Sequence, residues 1–164
     1  MASGDTLACF TPQHNQQPNA SGATLDLRNN RPVLDFDPSA DEVAVFLGVL
    51  PRNYGGGGIT IYLHWAATSA TSGSCRWQTA IEALSGLDLD GDSFASANSA
   101  GGTANGTNGI ETVTSIAHAD GAEMDSLAAG GAFRLKVTRD ADGTSGTDDM
   151  TGDAELVAVE IKET

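Results

Sequence analysis

Apolar and polar residues alternate along several short stretches of this chain, as they do in β-strands that bury one face. In residues 59–66, with the sequence ITIYLHWA, every second residue from Ile59 is large and apolar. Residues 132–139, AFRLKVTR, alternate in the same way from Phe133. Each of these segments is therefore predicted to be a strand that packs one face against a core.

Further apolar runs, bounded by Gly, Pro, Asn and Asp, predict five more strands. These runs cover residues 33–37, 42–50, 74–84, 110–118 and 154–162, and a helix is an alternative for the later half of 74–84. In the last of them, strict alternation places Leu156 on the face opposite Val159.

Two other segments are predicted not to be strands of the core. Residues 120–130 carry apolar residues at helical spacing before a double glycine, which predicts one short helix. Residues 93–108 are almost all small or polar, so we expect a mobile loop or a poorly packed edge there.

Short strands without alternating helices predict an all-β fold, and we expect an antiparallel β-sandwich, most simply a jelly roll. Residues 1–34 are rich in Gln, Asn, Pro and Ser, and are predicted to form an extended or flexible N-terminal arm. Residues 35–164 would then be the sandwich domain. If the arm orders on a neighbouring subunit, its apolar anchors would be Leu25, Leu27, Val33, Leu34 and Phe36.

The charge of the chain excludes several kinds of partner. The net charge is −14, from 8 Lys and Arg against 22 Asp and Glu, and the basic residues form no cluster. We therefore expect no binding to nucleic acid and none to an anionic membrane surface. The N-terminal residues have no signal-peptide pattern and no apolar run is long enough to cross a bilayer, so synthesis in a cytoplasm is expected.

The two cysteines, Cys9 and Cys75, lie far apart and form no CxxC pair. A disulfide between the arm and the domain is one alternative, since only geometry decides it. Two separate thiols in a reducing cytosol is the favoured interpretation, because disulfide frameworks in small domains are usually dense.

Two acidic segments resemble cation sites at first sight. Asp88, Asp90 and Asp92 alternate as calcium ligands do, but Ser93 and Ser99 stand where an EF-hand needs Gly and Glu. An acidic turn is therefore favoured, and the three residues remain weak metal candidates. The second segment is predicted to be a solvated acidic loop, and it contains Asp140, Asp142, Asp148, Asp149 and Asp153.

Residues that carry catalysis are not arranged in any known pattern. His14, His64 and His118 form no HxH or HExxH motif, and no carboxylate is spaced to orient His64 or His118. We expect surface histidines, no cofactor and no enzymatic activity. A metalloenzyme of the cupin kind would need His64 and His118 inside the barrel.

The aromatic residues offer one alternative function. Trp65 and Trp77 fall on predicted inward faces and are expected in the core. Tyr54, in the glycine-rich turn, and Tyr62, on an outward face, are the pair expected to be exposed. Such a pair is compatible with a platform for a sugar ring.

The chain from about Asp41 onward resembles small virion proteins of tailed bacteriophages and prophages. The strongest matches are LPRNYGGGG with the strand that follows it, and FRLKVTRDADG with the later GDAEL. The resemblance implies a structural protein without catalytic residues, namely a capsid decoration (cement) protein. It would bind the major capsid protein as a homotrimer on the outer surface of the virion. The alternative implied by the same fold is a receptor- or carbohydrate-binding module of a tail appendage.

Overall fold

Two antiparallel β-sheets packed face to face make up the fold, so the predicted all-β sandwich is confirmed. The computed structural model describes residues 3–164. Sheet A has the strand order β2-β3-β10-β5-β8, with β1 also paired to β10, and sheet B has the order β4-β9-β6-β7. The strands are β1 (Thr6–Phe10), β2 (Thr24–Arg28), β3 (Arg31–Phe36), β4 (Glu42–Val49), β5 (Ile59–Ala67), β6 (Ser74–Ala83), β7 (Asn98–Thr103), β8 (Thr112–His118), β9 (Ala132–Arg139) and β10 (Ala154–Glu163).

The core lies between the sheets and is centred on two tryptophans. Trp65 of β5 and Trp77 of β6 come from opposite sheets, and their ring centroids are 5.9 Å apart. Both side chains are fully buried, which confirms that they belong to the core. Phe36 packs edge-on against Trp77 at 5.0 Å. A Cβ on Gly102 of β7 would lie 3.0 Å from Trp65, so this close contact requires glycine.

A β-bulge in β10 breaks the predicted alternation. The pairing with β5 shifts between Leu156 and Ala158, which leaves Val157 as the extra residue. Leu156 and Val159 consequently both face the core and are buried, although period-2 alternation puts them on opposite faces.

Residues 3–34 are not an arm, because most of them belong to the sandwich. Strand β1 pairs with the second half of β10, and β2 forms a hairpin with β3. The hairpin turn has Asn29 and Asn30 at φ 49° and 63°, as a tight two-residue turn requires. Both are short edge strands of five residues set among Gln, Asn, Pro and Ser, and this polar setting hid them in the sequence. Residues 1–2 of the predicted arm lie outside the described residues.

The proposed anchors of that segment divide into two groups. Val33, Leu34 and Phe36 are buried in this chain's own structure, so they are not available to a neighbouring subunit. Leu25 and Leu27 of the edge strand β2 are 55% and 63% exposed.

The predicted helix at 120–130 is a single 3-10 turn, Ala122–Met124. It cannot extend because Gly121 before it and Asp125 after it both have positive φ. A second 3-10 turn, Pro12–His14, follows β1. The segment at 93–108 contains β7 at the edge of sheet B, as the edge alternative predicted. No helix among residues 3–164 is long and apolar enough to span a membrane.

A buried arginine at the end of β9 organises the acidic connection to β10. Arg139 is fully buried and donates to the carbonyl oxygens of Phe36, Met150 and Gly152 at 2.9–3.1 Å. It also donates two hydrogen bonds, at 2.8 and 3.0 Å, to the carboxylate of Asp148, which is itself buried. The connection is therefore held from inside, and the prediction of a solvated acidic loop is wrong for Asp148, whereas Asp142 and Asp149 are exposed as predicted.

Asp140 begins this loop and is also buried. Its carboxylate accepts hydrogen bonds from the backbone N–H of Ser145 at 2.7 Å and from the backbone and hydroxyl of Thr144. Partial burial raises the pKa of Asp140, but the bonds from Ser145 and Thr144 outweigh it and hold the pKa well below its usual range. Asp140 is thus a charged acceptor around which the turn closes.

Replacing Arg139 with methionine is expected to lower the free energy of unfolding by about 3–5 kcal/mol, because Asp148 would stay buried without a counterion. Urea unfolding measures the change, with Arg31→Met at an exposed position as the control. A loss below about 1 kcal/mol would show that the buried pair is not important for stability.

Candidate functional site

An open cleft of about 470 Å³ lies on the outer face of sheet B. Strands β4 and β9 form its floor, and two irregular segments form its walls: residues 16–20 after the first 3-10 turn, and residues 92–94 after β6. The cleft is lined by Gln16, Gln17, Pro18, Asn19, Ala20, Val43, Val45, Asp92, Phe94, Arg134 and Lys136.

The first wall adds to the free edge of β4. The backbone N–H of Gln16 donates to the carbonyl of Val45 at 2.7 Å, and the side-chain oxygen of Asn15 accepts from the N–H of Val45 at 2.9 Å. The side chains of Gln16, Gln17 and Asn19 are exposed, and the amide oxygen of Gln17 accepts a hydrogen bond from Nδ2 of Asn15 at 3.1 Å. The wall therefore presents several hydrogen-bond donors and acceptors to a ligand.

A buried carboxylate on β6 holds the second wall. Glu82 is fully buried and accepts from the N–H of Ser93 and the Nε of Arg134, both at 2.5 Å. Arg134 also pairs with Asp92. Partial burial lowers the pKa of Arg134, but its hydrogen bonds to Asp92 and Glu82 outweigh burial and raise the pKa above its usual value. The side chain is therefore positively charged and held in place. These contacts tie the loop to the floor of the cleft.

Phe94 is the aromatic group of the cleft. Its ring centroid is 4.6 Å from Nζ of Lys136 and 5.0 Å from Cζ of Arg134, which are neighbours on the outward face of β9. The ring is half-buried. An aromatic face beside amides and a cation suits a ligand rich in hydroxyls, which needs both stacking and hydrogen bonds.

A second groove, of about 370 Å³, lies on the outer face of sheet A. Arg28 pairs with Glu155, and Glu111 lies 2.7 Å from Nδ1 of His64, whereas Arg31 of the lining forms no ion pair within residues 3–164. No aromatic side chain is among the described lining residues of this groove, so it offers a sugar ring no stacking surface, unlike the cleft on sheet B.

The two tyrosines proposed as a platform are far from forming one. Tyr54 is buried, and its hydroxyl accepts from the N–H of Gly58 at 2.8 Å. Burial raises the pKa of Tyr54. Tyr62 is half-buried on the outer face of sheet A, opposite Glu160 of β10. The prediction of an exposed pair is wrong, because the glycine turn folds Tyr54 inward.

The acidic candidates at residues 88–92 do not converge on one point. The carboxylate of Asp88 accepts from the N–H of Asp90 at 3.1 Å, as in an acidic turn, whereas Asp92 pairs with Arg134. Within residues 3–164 a different trio, Asp41, Asp140 and Asp142, has its oxygens within 4.8 Å of one another. Asp140 already accepts four hydrogen bonds from Thr144 and Ser145, so this trio is explained as loop structure.

His14 is exposed, as predicted for a surface histidine, but His118 and His64 differ from that prediction. His118 is buried, with Nε2 2.8 Å from the hydroxyl of Thr79 and Nδ1 3.2 Å from the carbonyl of Glu123. Burial lowers the pKa of His118. Because Thr79 is buried too, this hydroxyl–imidazole pair has no access to a substrate. His64 has a carboxylate partner, Glu111, that its spacing in the sequence did not reveal.

Cys9 is exposed and Cys75 is buried, and both are free thiols. The interpretation of two separate thiols is therefore confirmed. Burial raises the pKa of Cys75, which keeps it in the thiol form.

The fold places the chain among β-sandwich proteins. No protein-family model matches the chain, and no curated protein sequence matches it significantly. Solved structures that share its fold include two with a TM-score above 0.5. One is an isomalto-dextranase from Arthrobacter globiformis complexed with panose (17% identity, TM-score 0.53), of which the match covers 94% of this chain and 23% of the enzyme. The other is the CBM22-1 xylan-binding domain of a Paenibacillus barcinonensis protein (11% identity, TM-score 0.52), with 99% and 96% covered.

An acidic patch beside the sheet A edge is formed by Asp35, Asp37, Glu42 and Asp153 around a cavity of about 250 Å³. Asp35 lies opposite Glu155 on β10. Among the described residues one of its carboxylate oxygens is buried without a partner. Burial first, and repulsion by Glu155 second, raise the pKa of Asp35 to about 6.

Asp35 is expected to make stability fall as pH rises. Since the unfolded carboxyl titrates near 3.8, between about pH 4 and 6 the folded chain keeps a proton that the unfolded chain has lost. Asp35→Asn should therefore raise the free energy of unfolding by up to about 1 kcal/mol near pH 7, allowing for solvent screening. It should change little below about pH 4.

Urea unfolding across this pH range measures the effect, with Asp90→Asn removing the same charge from an exposed loop. Equal gains from both variants, or a gain from Asp35→Asn that persists at low pH, would contradict the assignment.

Proposed function

We propose that this domain is a carbohydrate-binding module and that the cleft on sheet B binds a polysaccharide. The observation that carries the proposal is the composition of the cleft: exposed amides on one wall, Phe94 on the other, and cations on the floor. This set can stack a sugar ring and bond its hydroxyls. The xylan-binding domain, which shares the fold over nearly its whole length, supports the proposal.

The domain is proposed to bind without reacting. Asp92 is the carboxylate that lines the cleft, and it is paired with Arg134. Glu82 is buried beneath the cleft and hydrogen-bonded to Ser93 and Arg134. Two carboxyl groups that flank a scissile bond, as glycoside hydrolysis requires, are therefore not presented by the described lining of the cleft.

The resemblance to bacteriophage proteins provides a second candidate function, that of a homotrimeric virion surface protein. The exposure of Leu25 and Leu27 on the edge strand β2 favours it, because exposed leucines on a sheet edge suit a contact between subunits. In this function the trimer would bind the major capsid protein of a phage head. The alternative location is a phage tail, where the domain would be a receptor-binding module.

Replacing Phe94 with alanine is expected to weaken polysaccharide binding about tenfold, because the stacking surface is lost. Affinity electrophoresis in gels containing soluble xylan, together with calorimetric titration of panose, measures the effect. Phe94→Trp should retain binding. Tyr62→Ala, which removes a half-buried aromatic from the other sheet, is the matched control. Loss of binding in Tyr62→Ala but not in Phe94→Ala would place the site on sheet A.

If the second candidate function holds, light scattering is expected to give three times the mass of 16.7 kDa for the purified chain. The double change Leu25→Ser and Leu27→Ser should then give the monomer mass, because the edge of β2 would lose its apolar contact. Val113→Ser, at another exposed apolar position of sheet A, is the control. A wild-type monomer at every concentration tested would count against the trimer.

A further inference from the structure

We propose that the glycan taken by the cleft carries carboxylate groups, as a uronic-acid polymer does, and that Lys136 is the residue that contacts them. This inference rests on the proposed function, and it names the chemical class of the ligand for that same cleft.

Lys136 and Arg134, the two cations of the cleft, differ in whether a carboxylate pairs with them. Arg134 is matched by two carboxylates, Glu82 and Asp92. Lys136 forms no ion pair within residues 3–164, and its cross-strand neighbours on the outer face are Val45 and Ala80, which are apolar.

The surroundings of Lys136 leave its ammonium group incompletely satisfied. The side chain is half-buried, and its contact is the face of Phe94, which is worth less than a bond to an anion. A carboxylate from a ligand would supply the missing charge in a place where water is partly excluded. The recognition is local, since the net negative charge of the rest of the surface is screened beyond about 8 Å at physiological salt.

The position of Phe94 explains how one ligand residue can meet both groups. Nζ of Lys136 is 4.6 Å from the centre of the ring. Because Nζ covers this face of the ring, a sugar would pack at the edge of Phe94 beside Nζ, which brings a carboxylate attached to that sugar within reach of Nζ. The hydroxyls of the same sugar would face the amides of Gln16 and Gln17 across the cleft. A neutral sugar would make the aromatic and amide contacts but leave Lys136 unused.

The test compares polygalacturonate with its methyl ester, because esterification removes the charge and keeps the sugar backbone. We expect the wild-type protein to bind polygalacturonate at least about tenfold more tightly than the ester. Lys136→Gln should abolish that preference, and Lys136→Arg should restore most of it. Lys162→Gln, which removes a cation from the outer region of sheet A, should leave binding unchanged.

Calorimetry or affinity electrophoresis gives the outcome, with unfolding curves to confirm that each variant is folded. Equal binding of acid and ester by the wild type, or a preference that survives in Lys136→Gln, would overturn the acidic ligand while leaving the carbohydrate-binding function intact. Equal binding of poly-glutamate would also overturn it, because the protein would then recognise charge alone. Failure to bind any of the polysaccharides, xylan and panose included, would overturn the proposed function itself.

Discussion

The buried guanidinium of Arg139 is the interaction on which the arrangement of the two sheets depends. A charge removed from water must be matched by nearby partners, and Arg139 finds them in Asp148 and in three backbone carbonyls. The carbonyl of Phe36 belongs to sheet A, whereas Arg139 ends a strand of sheet B. A single side chain therefore joins both layers and fixes the loop that leads into β10.

Strand β10 is the central strand of sheet A. It pairs with β5 along its whole length, and on its other side it pairs first with β3 and then with β1. The bulge at Val157 lies between these two halves and lets Leu156 and Val159 both reach the core. The sheet thereby keeps an apolar inner face on both sides of the bulge, and the outer faces of both sheets remain free for polar groups.

The sequence was sufficient to predict the elements that alternate without interruption. Strands β5 and β9 follow the two-residue period and were placed within a residue or two, and the class of fold followed from them. The bulge could not be predicted, because one inserted residue is visible only in the pairing with β5. The edge strands β1 and β2 were missed because each is only five residues long and the residues around them are polar, as in a disordered segment.

The cleft was missed for a different reason: its walls and floor come from four separate parts of the chain. Gln16 lies in the supposed arm, Phe94 in the supposed mobile loop, and Lys136 among residues that merely point outward. Phe94 was nevertheless detectable, since it is the one aromatic residue between Trp77 and Phe133. The tyrosines attracted attention instead because a glycine turn gives no indication that Tyr54 folds inward.

The central position of β10 in sheet A determines when that sheet can assemble during synthesis on a ribosome. All four strands of sheet B end by Arg139, so that sheet can pair while the chain is still being made. In sheet A, β5 and β8 can pair early, and so can β2 and β3. The β2–β3 hairpin and the β5–β8 pair have no strand between them until residues 154–163 are synthesised. Closure of the sandwich is therefore a late event that requires β10. Until β10 has paired, an incomplete sheet A leaves part of the apolar inner face of sheet B uncovered.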